Sequence, residues 1–185
     1  MAIIKNNPYA PIKKISNFFK EDLFEHVDIV DIYAYAQSLN INTFPFDIML
    51  YLKRHNIHII YEEMDDISGY LEYSGGWIIG LNKYQNETRQ RFTASHELAH
   101  LLFDREIIKS KGKHNDFILF RDNSSVDEIE KNANDFAANL LMPQDKFHQL
   151  VKEGTNTIEG LAQKFNVSPA AAKYRAFKLG YLKGY

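Results

Sequence analysis

The stretch RFTASHELAH, residues 91–100, constrains the fold of this chain more than any other part of its sequence. Residues four apart on a helix lie one above the other, so His96 and His100 can direct ring nitrogens at a single ion. Glu97 is rotated about a third of a turn from His96, which makes it a poor ligand but lets it reach water beside that ion. The pattern predicts a helical metal site with its own general base. The alternative is a solvated helix surface that carries three polar residues.

Composition limits the chemistry that such a site can use. The chain has 185 residues and no cysteine, which excludes disulfides and thiolate metal sites and leaves histidine, carboxylate or water as ligands. A net charge of −2 argues against a dedicated nucleic-acid or membrane binder. No apolar run has the length of a signal peptide or a membrane span, so we expect a cytoplasmic protein.

The spacing of the hydrophobic residues changes along the chain. Helical spacing in residues 21–39 puts Leu23, Val27, Val30 and Ala34 on one face, and residues 44–56 read as a second helix. A small, mostly antiparallel sheet is predicted from three short segments rich in β-branched and aromatic residues: 57–63, 67–73 and 77–82. Helical spacing returns in 87–104, whereas 105–123 reads as irregular. These features predict an α+β fold.

The last third of the chain is predicted to be helical. Ser125 and Glu128 form a capping box that begins a helix over 126–141, and Pro143 marks its end. A boundary follows at 152–156. We therefore predict a main domain at 1–152, which carries the metal site, and a helix–turn–helix-like appendage at 153–185.

A third ligand is expected from the helix at 126–141, because a catalytic zinc site has three protein ligands and one position open to water. Glu130 lies beside the apolar face, where small Ala133 leaves room for a neighbouring helix, so we assign it as that ligand. Asp127 is the runner-up, nearer the helix start, and Glu128 projects to the other side. Favourable charge at a helix N-terminus is the alternative explanation for these acids.

Other polar residues have weaker assignments. Asn134, four residues after Glu130, is a candidate acceptor for the outer nitrogen of a ligand histidine, although a plain surface asparagine fits as well. Tyr73, Tyr84 and His114 are candidates for stabilising an oxyanion, with packing or loop surface as the alternative.

The segment WIIGLN, residues 77–82, precedes the motif helix by a short loop. One hypothesis is that its edge pairs with an extended substrate chain, since peptidases often bind by strand addition. The alternative is an ordinary buried strand.

Three stretches together resemble the ImmA/IrrE family of metallopeptidases: RQRFTASHELAHLL, EKNANDFAANLLMP and GWIIGLN. The resemblance covers roughly residues 25–180. It implies a zincin-like fold in which His96, His100 and Glu130 bind zinc, with manganese as the alternative ion, and Glu97 is the catalytic base. It also implies a zinc-dependent endopeptidase that cleaves a specific cytoplasmic protein, such as a helix–turn–helix repressor of a mobile element or stress regulon.

The chain departs from that family at three places. The family often has glycine where Ala99 stands, glutamate where Asn132 stands, and a histidine where this chain reads Phe103-Asp104. None of these departures removes a ligand, so they affect the tuning of the site and leave its chemistry intact.

The C-terminal stretch LAQKFNVSPAAAKYRAFKLG resembles a helix–turn–helix pair. Ser168 is a good N-cap, Pro169 suits the first helical position and Gly180 ends the helix. The apolar seam is predicted to comprise Leu161, Phe165, Val167, Ala172, Phe177 and Leu179.

The same stretch is basic, and its cations are candidates for phosphate contacts: Lys173, Arg175, Lys178 and Lys183. However, the second helix opens with Pro169-Ala170-Ala171, where a base-reading helix needs arginine, asparagine or glutamine. We therefore expect packing or partner docking rather than DNA binding. The rival functions are a non-proteolytic DNA- or regulator-binding module and a component of a toxin–antitoxin pair.

Overall fold

The computed structural model describes residue 23 and residues 28–111, 113–115 and 123–183. Residues 111, 113–115 and 123–127 are described by their backbone alone. Helices and strands alternate with no single repeating unit, which confirms the predicted α+β class. In chain order the elements are α1 (Ile29–Ser38), α2 (Ile48–Arg54), β1 (His58–Glu62), β2 (Gly69–Tyr73), β3 (Trp77–Asn82), α3 (Glu87–Phe103), α4 (Arg105–Lys111), β4 (Lys113–Asn115), α5 (Asn123–Leu141), α6 (Gln144–Lys152), α7 (Ile158–Phe165) and α8 (Pro169–Lys178).

The four strands form one sheet in the order β1-β3-β2-β4. β2 and β3 form an antiparallel hairpin in which Tyr73 pairs with Trp77, and β4 is antiparallel to β2. β1 is parallel to β3. The expectation of a mostly antiparallel sheet is confirmed, but the hypothesis that the edge of β3 binds substrate is wrong. Both edges of β3 already carry a neighbouring strand, so it has no free backbone groups to offer.

Two glycines allow close contact within and above the sheet. A Cβ on Gly80 of β3 would lie 2.2 Å from the ring of Tyr70. A Cβ on Gly69 of β2 would lie 2.5 Å from the Thr93 side chain of α3. Any larger residue would push these atoms apart, so Gly80 makes room for the Tyr70 ring within the sheet and Gly69 lets α3 lie directly on it.

Helix α3 is the most buried helix of the described chain. Asn86 caps its start by accepting from the backbone N–H of Arg89 at 2.9 Å. The sheet covers one side of α3 and α5 covers another, with Ala99 and Ala133 both buried. Small residues at these positions let α3 and α5 approach closely, as the sequence predicted for Ala133.

The predicted apolar face of α1 is wrong. Val30 is 74% exposed and Ala34 is exposed, whereas Ile32 and Ala36 are fully buried. The helix begins at Ile29, directly after its N-cap Asp28. Leu23 therefore lies outside the helix, and helical spacing cannot be counted from it. Leu23 itself is buried, and Val27 lies outside the described residues.

Several element boundaries also differ from the prediction. Residues 105–123 were predicted to be irregular, but they contain α4 and β4. Helix α5 begins at Asn123, so Ser125 lies within the helix and is not its N-cap. Helix α2 begins at Ile48 with Asp47 as N-cap, after a cis bond between Phe44 and Pro45.

Helices α7 and α8 form the predicted C-terminal pair. Ser168 caps α8 by accepting from the backbone N–H of Ala171 at 3.1 Å. The predicted seam is buried at Leu161, Phe165, Val167 and Ala172, whereas Phe177 is 39% exposed. The buried seam residues belong to the same apolar cluster as α1, α2 and the sheet.

The domain boundary at residue 152 stays a prediction. No helix among the described residues combines the length and apolar character needed to cross a bilayer.

Candidate metal centre

His96 and His100 lie one turn apart on α3, and both side chains are buried. Their ring centroids are 4.7 Å apart and the ring planes are inclined by 73°. The two Nε2 atoms come within 3.0 Å of each other. The helix therefore directs one nitrogen from each imidazole toward the same point, as the spacing predicted.

Glu130 of α5 completes a group of three. Its Oε2 atom lies 3.1 Å from Nε2 of His96, and its Oε1 atom lies 3.5 Å from Nε2 of His100. One potential ligand atom from each residue falls within 4.8 Å of the other two. The carboxylate can reach the imidazoles because α3 and α5 approach at small residues.

The dimensions of this group suit a divalent metal ion. A tetrahedral zinc with ligands at about 2.0–2.1 Å separates its ligand atoms by about 3.3 Å. The observed separations of 3.0, 3.1 and 3.5 Å bracket that value. Two histidines and a glutamate are also a donor set found in catalytic zinc sites. The cluster is thus compatible with a divalent metal ion.

Each histidine has an oxygen acceptor at its outer nitrogen. Nδ1 of His96 lies 3.2 Å from Oδ1 of Asn134, and Nδ1 of His100 lies 3.0 Å from Oδ2 of Asp104. An acceptor there favours the tautomer with the proton on Nδ1, which leaves the lone pair of Nε2 for a metal. Asn134 thus lies where a partner of a ligand histidine was predicted.

Asp104 is the residue that sequence analysis missed, having treated it only as a departure from the family. The available signal was spacing, since Asp104 follows His100 by four residues just as Asn134 follows Glu130 by four. Asp104 is the C-cap of α3, and its backbone N–H donates to the carbonyl of His100 at 2.8 Å. The end of the helix places this carboxylate beside the imidazole.

The electrostatics of the group keep Glu130 ionised. Burial raises the pKa of Glu130, but hydrogen bonds from His100 and His96 outweigh it and hold that pKa well below its usual range. For His100, burial lowers the pKa, and hydrogen bonds with Asp104 and Glu130 outweigh it, raising the pKa to about 9. The two acids thus create a site that attracts positive charge.

Glu97 lies on α3 directly after His96, with no exposed surface. Both of its carboxylate oxygens are shielded from bulk solvent. The structure therefore places the predicted general base inside the same helical segment that carries the two imidazoles.

The other predicted candidates make contacts elsewhere. Tyr84 is 68% exposed and donates to Glu63 at 3.0 Å, while the ring of Tyr73 packs on Trp77 at 4.9 Å. The side chains of His114 and Asp127 lie outside the described residues. Neither tyrosine is thus part of the His96–His100–Glu130 group.

Comparison with known proteins places the chain among peptidase-like folds. The model of the peptidase M78 family, described as an IrrE N-terminal-like domain, matches residues 52–177. A solved Mycobacterium tuberculosis transcriptional regulator has a similar fold, with a TM-score of 0.56 and 16% sequence identity, over 85% of this chain and 49% of that chain. The present chain therefore spans about half the length of that regulator. No curated protein sequence matches the chain.

Proposed function

This chain belongs to the peptidase M78 family with its zincin-like IrrE N-terminal domain, and on that premise we propose that it is a zinc-dependent endopeptidase. The observation that carries the proposal is the convergence of His96, His100 and Glu130 from two helices within ligand distance of one another. Two of these side chains are also oriented by hydrogen bonds at their outer nitrogens. Such support is typical of metal sites.

In this proposal the three side chains hold the ion and Glu97 moves the proton. When bound, zinc would lower the pKa of a water molecule to about 7 and would act as the Lewis acid that polarises the substrate carbonyl. The Glu97 carboxylate accepts the proton of the attacking water and returns it to the nitrogen of the leaving amine. Burial of Glu97 favours this role, because a carboxylate shielded from bulk water exchanges its proton with the reacting groups.

The proposed substrate is a cytoplasmic regulatory protein, such as a helix–turn–helix repressor of a mobile element or stress regulon. Resemblance to the ImmA/IrrE family is the ground for this substrate class. Cleavage of such a repressor in the cytoplasm switches on the genes it controls, so the protease acts as a transcriptional switch.

A regulator-binding module without hydrolysis is the second candidate, because a similarly folded protein carries the name transcriptional regulator. Direct DNA binding through α8 is disfavoured by its contacts. Arg175 donates to the carbonyl of Met142 at 2.9 Å and to Asn139 at 2.6 Å, and Lys178 pairs with Asp135 at 2.7 Å. Two of the four cations that were candidates for phosphate contacts are thus engaged within the protein. The third candidate is a component of a toxin–antitoxin pair.

The deciding experiment incubates the zinc-loaded protein with the repressor encoded beside it, and follows both chains by electrophoresis and mass spectrometry. We expect one clean cut that is lost when the metal is removed by a chelator. The Glu97→Gln variant should lose about 10²- to 10⁴-fold in rate, since that is the usual contribution of general acid–base catalysis.

The control is the zinc content of Glu97→Gln, which should equal that of the wild type because Glu97 is not among the three ligands. A stable uncut complex with the repressor supports the binding module instead. Near wild-type cleavage by Glu97→Gln contradicts the assigned base.

A further inference from the structure

An open cavity of about 420 Å³ lies beside the metal centre, between α3, α5 and α8. Glu130 and Asn134 line this cavity and also contact His96, so the cavity and the histidine cluster share a wall. Its volume falls in the range of sites that bind small ligands or a few residues of a peptide. A chain bound in this cavity lies next to the reacting atoms.

The wall contributed by α8 is fixed to the metal-binding helices. Ala171 and Tyr174 of α8 line the cavity opposite Phe92 of α3. The hydroxyl of Tyr174 donates to Asp135 of α5, and Lys178 pairs with the same carboxylate. The cavity is therefore a formed feature of the packed molecule, and its aromatic and methyl surfaces suit the body of a peptide.

The charged residues that line the cavity are two cations and one carboxylate. Arg89 and Lys131 are the cations, and both are exposed. The lining carboxylate, Glu130, is held by the two imidazoles. A bound segment that carries carboxylates is therefore attracted to the two cations, while a basic segment is repelled.

We propose that this cavity is the subsite for an acidic segment of the protein substrate, with Arg89 and Lys131 as its specificity-determining residues. The inference rests on the proposed peptidase function, and it names the substrate class as a chain with aspartate or glutamate beside the cleaved bond. The C-terminal helix pair then serves substrate recognition, since α8 builds one wall of the subsite.

The test digests a mixture of proteome-derived peptides with the zinc-loaded full chain and reads the cut bonds by mass spectrometry. Acidic residues should be enriched on one side of the cut. The double variant Arg89→Glu/Lys131→Glu should lose this enrichment and cut acidic peptides at least about tenfold more slowly, because a like charge replaces each partner. The matched control is Lys164→Glu, an exposed cation of α7 outside the cavity lining, which should keep the wild-type profile.

A binding measurement separates this inference from the proposed function. Fluorescence anisotropy with Glu97→Gln protein compares a labelled peptide rich in aspartate and glutamate with its asparagine and glutamine counterpart. The acidic peptide should bind more tightly, and the double charge reversal should invert that order. Weaker or equal binding of the acidic peptide, or cut sites unchanged by the reversal, overturns the inference while peptidase activity stands. Inverted binding without any cleavage supports the subsite and contradicts the peptidase.

Discussion

At the scale of single residues, the two histidines differ in the group that holds each ring. His100 faces the charged carboxylate of Asp104, whereas His96 faces the neutral amide oxygen of Asn134. A hydrogen bond to a carboxylate is shorter and stronger than one to a neutral acceptor, and it makes the imidazole a better electron donor. Asp104 should therefore contribute more to metal affinity than Asn134.

We predict that Asp104→Ala weakens zinc binding by about 10- to 100-fold, the usual effect of removing a partner of a ligand histidine. Asn134→Ala should have a smaller effect. Competition titration against a chromophoric chelator measures both. Glu106→Gln is the matched control, because the Glu106 side chain is 75% exposed and lies two residues after Asp104, in the first turn of α4. Wild-type affinity in Asp104→Ala would show that the carboxylate does not support the site.

Residue-level chemistry was predictable where it depended on spacing within one helix. The pair His96 and His100 follows from helical periodicity alone, and Glu130 follows from the apolar face of its own helix. Asp104 was missed although the predicted helix 87–104 ends at it and it follows His100 by four residues. It contacts the imidazole from the C-cap position, where the backbone leaves the helical conformation and periodicity no longer fixes the direction of a side chain.

At the scale of elements, one carboxylate of α5 holds two side chains of α8. Asp135 accepts hydrogen bonds from Tyr174 and from Lys178, the latter at 2.7 Å. Burial raises the pKa of Asp135, but the bonds from Lys178 and Tyr174 outweigh it and lower that pKa below its usual value. The folded state thus binds the proton less readily than the unfolded state, so this carboxylate stabilises the fold only when ionised.

We predict that Asp135→Asn lowers the free energy of unfolding at pH 7 by at most about 1 kcal/mol, because the carboxylate is largely solvated. A group with a lowered pKa contributes stability above its unfolded pKa of about 3.9 and loses it as the pH falls further. The difference between wild type and variant should therefore be smaller at pH 3 than at pH 7. Urea denaturation at both pH values measures it, with the exposed loop substitution Asp65→Asn as control. A difference of the same size at both pH values would contradict the ionic origin.

Element types were predictable from period, whereas their order in the sheet was not. The three segments that became β1, β2 and β3 were identified by alternation and turn signals, but β1 pairs with β3 in parallel. The pairing of β1 with β3 depends on how the strands pack beneath α3, and the local sequence of either strand does not encode this tertiary contact. The short elements α4 and β4 were missed for a related reason, since α4 packs against β2 and β4 pairs with it, and β2 lies far away in the sequence.

At the scale of the whole molecule, α7 packs into the apolar core that supports the metal centre. Phe165 is fully buried, with the ring of Phe44 at 5.5 Å and the ring of Phe147 at 5.8 Å. Arg91 of α3 adds a polar connection by donating to the carbonyl of Asn166 at 3.1 Å and to that of Phe46 at 2.9 Å. The end of α7 is thus joined both to the motif helix and to the segment before α2.

These contacts predict that a destabilising substitution in α7 also destabilises the sheet, in addition to the C-terminal helices. Phe165→Ala should lower the free energy of unfolding by about 3–5 kcal/mol through loss of buried surface and the cavity left behind. Trp77, the single tryptophan, lies buried in β3 and reports the sheet. Its fluorescence transition in urea should therefore shift together with the helical signal in circular dichroism, whereas Phe177→Ala, at an exposed position of α8, should move neither by much. If residues 153–185 are instead an appendage that unfolds alone, Phe165→Ala will split the transition and leave the Trp77 midpoint at its wild-type value.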